Sequence, residues 1–325
     1  MVSRRGFPTV LSAWLHLFLV AAGLLAGAAT IAGFFGSLWW PLDLLAHFRV
    51  QYLLGLALVV AAAALLRRWR SVAIFSLLAI PNLVVIAPLY FGPAAGSAER
   101  ASPTITAMLA NVNTGSGDAG RLLAVIAEYD PDLVVLEEID GEWADRLAPL
   151  EQTHPHVVLR PRWDNFGIGL YSKRPLASAK IVTLGEADVP SVFATLDLEG
   201  RLVHVLGTHP VPPGNRQYVL WRDEQLERVA EFVNADRRPL LLLGDLNVTP
   251  WSFHYRRLLD RTGLIDSTRG RGVKPTWPAN LPLLWIPIDH CLHSDDIVIE
   301  SRETGPDIGS DHYPVIVRFH LVGPT

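Results

Sequence analysis

The chain has a single cysteine in 325 residues. Cys291 therefore has no partner for an internal disulfide and cannot build a Cys-rich zinc site. Set in an apolar run, it reads as core rather than as a nucleophile. A Gly-x-Ser-x-Gly elbow is missing, which counts against an acyl hydrolase. A Walker-type phosphate loop is missing too, and no repeat of 20–50 residues is visible. Glycine and proline together number 49, too few for a low-complexity chain. Charge is scarce, at 18%, and unevenly spread. The first 95 residues hold six basic side chains (Arg4, Arg5, Arg49, Arg67, Arg68 and Arg70) and one acid, Asp43, a net of +5. The remainder has 22 basic and 31 acidic residues, so it carries −9 within a total of −4. An acidic part of this kind suits a duplex's phosphates poorly.

What the N-terminal part does contain is apolar length. No Asp, Glu, Lys or Arg occurs between Arg5 and Asp43, and residues 10–35 are long enough to cross a hydrocarbon core as a helix. Two further runs, 50–66 and 72–91, have similar character, the second interrupted by Pro81-Asn82, a pair expected to kink it or free a carbonyl. Three such runs around Arg67-Arg68-Trp69-Arg70 predict about three transmembrane helices in residues 1–95. Arg4 and Arg5 before the first run and the arginines between the second and third belong on the cytoplasmic side. Three spans then put everything after about residue 92 outside the cytoplasm, on the periplasmic face of a bacterial inner membrane. Trp39, Trp40 and Tyr90 would sit at the outer interface. Ser3-Arg4-Arg5-Gly6-Phe7 loosely resembles a twin-arginine signal with Ala26-Gly27-Ala28 as a cleavage site; the length of the apolar run favours a retained span.

Residues 96–103 read as a linker of small, turn-prone residues, and 104–325 as one soluble domain. Strand patterns at 104–112, 133–136, 167–171, 192–198, 202–208, 240–244, 288–292 and 315–321 alternate with helices at 117–129 and 217–234. This predicts an α/β fold with two packed sheets and helices outside. Polar groups stand at the ends of the apolar runs. Asn111 and Asn113 share a strand face, Glu137 and Glu138 follow a buried strand, and Asp245 and Asn247 follow another. His209 ends a strand, and Asp289-His290 and Asp311-His312 begin two more. Strand ends are rigid platforms for sites, although each motif alone also fits a turn or a surface pair.

In order, Asn-Val-Asn at 111–113, Leu-Glu-Glu at 136–138, Gly-Ile-Gly-Leu-Tyr-Ser-Lys at 167–173, Thr-His at 208–209, Gly-Asp-Leu-Asn at 244–247, Thr-Trp at 276–277, Ile-Asp-His at 288–290 and Ser-Asp-His-Tyr-Pro-Val at 310–315 resemble the endonuclease/exonuclease/phosphatase superfamily. The resemblance covers about residues 104–321, and the N-terminal runs resemble its membrane-attached bacterial branch. It implies a four-layer α/β sandwich, two mainly antiparallel sheets flanked by helices. It implies a Mg²⁺-dependent phosphoesterase, with Mn²⁺ as the other candidate ion. Asn111, Glu138 and Asp311 would hold the metal. Asp245 and Asn247 would orient water and stabilise phosphoryl oxygens, His209 would contact the phosphate or protonate the leaving group, and His312, oriented by Asp289, would be the acid/base histidine. This chemistry agrees with what Mg²⁺ requires, hard oxygen ligands with room for water, and with what a carboxylate does for a histidine.

Two departures stand out. Glu137 replaces the family's usual Gln, which leaves open which glutamate meets the metal. Asn165 stands where an aromatic would stack on a base. Together with the acidic domain, this favours a lipid headgroup or small phosphoester over nucleic acid. A nuclease on extracytoplasmic DNA or RNA is the alternative, and an inactive binding module of the same fold is a second. Among the remaining candidates, His154 and His156 read as an exposed loop, His290 as structural, and Arg216, Arg222 and Arg228 as a solvated helix surface. Trp277 reads as packing under the site.

Overall fold

The apolar runs fold as helices. In the computed structural model, which describes residues 7–92 and 102–322, they form α1 (Phe7–Ala32), α2 (Trp40–Ala46), α3 (Arg49–Leu65) and α4 (Trp69–Ile86). Trp14–Ala32 and Trp69–Leu89 are each long and apolar enough to cross a membrane. The middle run meets that standard only as the pair α2 and α3, which are bent by 63° at their junction. α4 continues through Pro81 as one helix. Its buried Asn82 donates from Nδ2 to Thr30 Oγ1 (2.8 Å). Arg49, also buried, donates to Thr30 O at 2.6 Å and lies over the Phe34 ring. Polar groups buried in an apolar bundle are tolerable when bonded to one another in this way. Arg4, Arg5 and the signal-like stretch before Phe7 lie outside the described residues, as do positions 93–101, which include most of the linker.

A second unit begins at Leu89. Its elements are β1 (Ile105–Asn111), α5 (Ala119–Tyr129), β2 (Leu133–Glu137), α6 (Gly141–Leu147), β3 (His156–Arg160), β4 (Ile168–Ser172), β5 (Leu176–Thr183), β6 (Pro190–Leu198), β7 (Arg201–Thr208), α7 (Arg216–Asn234), β8 (Leu240–Asp245), α8 (Phe253–Thr262), β9 (Ile265–Asp266), β10 (Asp289–His293), β11 (Ile297–Thr304) and β12 (Val315–Leu321). They form two six-stranded sheets, ordered β11-β12-β1-β2-β4-β3 and β5-β6-β7-β8-β10-β9. Each sheet has one parallel pair, β1 with β2 and β7 with β8, joined by the crossover helices α5 and α7. All other pairings are antiparallel. The fold is the expected α/β sandwich.

Strand alternation builds three cores. Ile105, Ala107, Leu109, Leu133, Val135, Val203, Val205, Leu241, Leu243 and Cys291 point between the sheets. Met108, Ala110, Val134 and Leu136 face α5 and α6, and Leu206, Leu240, Leu242 and Leu292 face α7 and α8. Cys291 is thus core, as its sequence context predicts. The His-Pro-His stretch departs from expectation. His154 is buried with Nε2 on Pro131 O (2.9 Å), and His156 opens β3 rather than lying in a loop.

Candidate active site

The inward faces run out of apolar residues at one end of the sandwich. Continuing each alternation by two places brings Asn111 after Leu109, Glu137 after Val135, Asp245 after Leu243 and Asp289 before Cys291. Register puts Asn111 opposite Glu137 and Asp289 opposite Asp245. The same parity sends His290 outward, where it bonds Val248 O at 2.7 Å and its ring lies 4.5 Å from Tyr255.

Asp245 Oδ2 is the hub. It lies 3.7 Å from His312 Nε2 and 3.6 Å from His209 Nε2, and accepts from Asn111 Nδ2 at 3.3 Å. His312 Nδ1 meets Asp289 Oδ2 at 2.9 Å, and the Asp289 N–H donates to Thr276 Oγ1. Asp245 Oδ1 accepts from the Asn247 N–H (2.9 Å), so the chain turns sharply there and Asn247 adopts φ +53°. Asn247 Nδ2 donates to Pro210 O (2.9 Å). Helix α7 reaches the same turn. Arg222 is fully buried, paired with Asp223, and donates from Nη1 to Asn247 O at 3.2 Å. Arg222 therefore does not lie on a solvated helix surface. It braces the loop that carries Asp245 and Asn247.

The two glutamates separate cleanly. Glu137 keeps the strand's inward direction, is fully buried, and accepts the Asp245 N–H on Oε2 (3.0 Å). Its Oε1 has no partner among the described residues. Burial, then the Asp245 charge, raises its carboxyl well above the usual range, so it stands there as a neutral acid in place of an amide. Glu138 breaks the alternation with φ +62°. That turn brings its Oε1 to Asn111 Nδ2 at 3.0 Å, while its carbonyl accepts from the Thr114 hydroxyl. Asp311 accepts from Asn113 Nδ2 (2.6 Å) and from Trp277 Nε1 (2.9 Å). Trp277 thus lies beside the site, its ring 6.4 Å from that of His312.

Electrostatics divide the two histidines. Burial disfavours a charged His312, but the nearby Asp289 and Asp245 outweigh it and push the ring up to about 10. Burial and the His312 charge hold His209 down to about 3. Burial and the Asp289 charge raise Asp245 to about 8. His209 is therefore a neutral hydrogen-bonding ring and His312 a cation at neutral pH. Asp245, Asp289 and His312 also have ligand atoms within 4.8 Å of one another. Hard-oxygen donors Glu138, Asn111 and Asp311 suit a divalent cation of the Mg²⁺ type. One residue beyond the sequence-based set joins the site: Phe166, whose ring lies 5.7 Å from that of His209. Its position next to the expected stacking place, 165, was the available signal.

A sequence model of the Endonuclease/Exonuclease/phosphatase family matches residues 108–312. Exodeoxyribonuclease III of Haemophilus influenzae is 25% identical over 155 residues, 43% of this chain and 56% of that protein. The chain thus spans about half the length of this curated relative. An endonuclease/exonuclease/phosphatase from Beutenbergia cavernae superposes with TM-score 0.57 at 23% identity, over 68% of this chain and 72% of that one. TDP2 of D. rerio, complexed with single strand DNA product, gives 0.58 at 16% identity over 67% and 99%. The human Nocturnin catalytic domain with bound sulfate anion gives 0.55 at 18% over 69% and 96%. At these identities the structural likeness is one of fold.

Proposed function

The chain belongs to the endonuclease/exonuclease/phosphatase family, whose members are hydrolases of phosphoester bonds, and on that premise we propose that it is a Mg²⁺-dependent phosphoesterase held at a membrane. The observation that carries this reading is the convergence of His312, His209 and Asn111 on Asp245 Oδ2, with Asp289 behind His312. In the proposed reaction, Asp245 in its carboxylate form orients the attacking water and takes its proton as the new P–O bond forms and the P–O bond to the leaving group breaks; with Asp245 raised to about 8, the rate should rise with pH toward that value. His312, held by Asp289, supplies the proton that the departing oxygen needs. Asn247 and neutral His209 offer hydrogen bonds to the phosphoryl oxygens. Glu138, Asn111 and Asp311 would hold the ion. When bound, a divalent ion supplies positive charge that neutralises and polarises the phosphoryl group. Mn²⁺ is the other candidate.

For substrate, the −9 domain favours a lipid headgroup or small phosphoester over nucleic acid. The nuclease reading draws support from Phe166 beside His209, an aromatic face of the kind on which bases stack. Hydrolysis of bis(p-nitrophenyl) phosphate with and without Mg²⁺ tests the reaction class. Activity is expected to vanish in EDTA and in Glu138→Ala and His312→Ala, each folded by circular dichroism. Full activity in any of these would refute the mechanism. For location, taking the bent α2–α3 pair as a third span beside Trp14–Ala32 and Trp69–Leu89, together with the arginine distribution, supports a periplasmic domain. An alkaline phosphatase reporter fused after Thr325 is expected to be active in cells, and an inactive, stably expressed fusion would overturn that topology.

A further inference from the structure

Residues 275–288 contain no charged side chain, yet the middle of this stretch is not buried. Leu281 is 46% exposed, Leu283 82% and Leu284 41%. Three leucines within four positions, exposed together in a domain whose other apolar runs fill its cores, form a crest rather than isolated surface residues. The crest is fastened to the active site at both ends. At one, the Trp277 indole donates to Asp311 Oδ2 and the Ala279 N–H to Asp311 O (2.7 Å). At the other, the Trp285 ring meets Tyr313 edge-on at 6.1 Å, and the Tyr313 hydroxyl returns to Ala279 O.

We propose that this crest enters the interfacial region of a lipid bilayer, and that the site beside it acts on a phosphoester presented at that surface. The inference rests on the phosphoesterase and membrane readings above. Its occupant follows from the chain itself. The helix Trp69–Leu89 has spanning length, and β1 begins sixteen positions later. A chain of that length reaches roughly 55 Å at most, so the domain works within one domain's breadth of the bilayer that holds the helix. An uncharged crest offers nothing to nucleic-acid phosphates, whereas exposed leucines gain by leaving water at an acyl boundary.

The test uses the full chain reconstituted into phosphatidylcholine vesicles containing phosphatidylglycerol and phosphatidic acid. Phosphate or headgroup release is measured beside hydrolysis of soluble bis(p-nitrophenyl) phosphate. Leu283→Asp combined with Leu281→Asp is expected to lower the vesicle rate by about tenfold or more and leave the soluble rate within twofold, while Leu283→Met matches the parent. Equal vesicle rates in parent and double variant would overturn the proposal, as would parallel loss on both substrates. A second measurement needs no turnover. An NBD label on Leu283→Cys should be quenched by nitroxide lipids, Cys291 being buried and unlabelled. An unquenched label overturns the crest proposal even if the soluble diester is hydrolysed. A quenched label on a protein that hydrolyses nothing sinks the phosphoesterase reading, and the proposal's substrate half with it. Cleavage of single-stranded DNA with no lipid turnover overturns that substrate half alone.

Discussion

Glu137→Gln isolates one buried proton. The side chain lies between the sheets with one oxygen on the Asp245 N–H and the other without a partner among the described residues. Its carboxyl is raised well above the ordinary range by burial first and the Asp245 charge second. Unfolded, a glutamate ionises near 4.3. As pH climbs past that point the unfolded chain gives up its proton while the folded one keeps it, so stability falls by ~1.4 kcal/mol per pH unit until the folded group also ionises. The loss therefore accumulates from about pH 4.5 upward, at no more than the linkage of this one proton. Glutamine keeps the acceptor for Asp245 and has no proton to lose. For a domain of this size each kcal/mol gained is worth roughly 2–4 °C in melting temperature, so the variant should melt above the parent at pH 7.5 and the difference should vanish by pH 4.5. Thermal unfolding of the full chain in detergent, followed by tryptophan fluorescence across that pH range, reads it directly. Equal midpoints at every pH, or a variant less stable at pH 7.5, would refute the assignment of a neutral Glu137. Phosphodiester hydrolysis should persist, since the Asp245 contact survives.

Asp289→Asn should cost on the order of 10²-fold in turnover. Because the Asp289 charge helps lift His312 to about 10, its loss should also move the alkaline limb of the pH–rate profile to lower pH; an unmoved limb would detach Asp289 from His312. Arg222→Met should destabilise by about 3 kcal/mol, since it removes the buried guanidinium that pairs with Asp223 at 2.7 Å and donates to Asn247 O. Denaturation midpoints check the first part, and a fall in kcat at an unchanged KM checks the bracing of the Asp245 loop.

Much of the site was legible because strand alternation survives the change from apolar to polar. The faces carrying Leu109, Val135 and Leu243 continue to Asn111, Glu137 and Asp245, and period two alone assigns these side chains to the sandwich interior. The choice between Glu137 and Glu138 was not legible, because it depends on a positive φ at 138, a conformation glutamate rarely takes and no spacing announces. Arg222 escaped for another reason. Its neighbours at six-residue spacing share no helical face, and its burial is decided by a loop 25 positions away. The strands β3, β5, β9 and β11 fall outside every strand pattern the sequence displays. β5, mostly exposed, lacks the apolar alternation that marks an interior strand. The middle apolar run, expected at 50–66, folds as α3, and the short α2 that precedes it at a 63° bend had no signal in that run.

Both sheets contribute to this site, and neither completes it. One sheet brings Asn111 and Glu138, the other His209 and Asp245, and β10 adds Asp289 while the segment before β12 closes with His312. Neither half holds a reactive constellation by itself. On the proposed reading, catalysis is a property of the seam between the sheets and depends on how they are seated. A core substitution that slides one sheet against the other by a fraction of an ångström should detune Asp245 from His312 long before the domain melts. The proposed activity would, in effect, be a fine gauge of how the two sheets are seated.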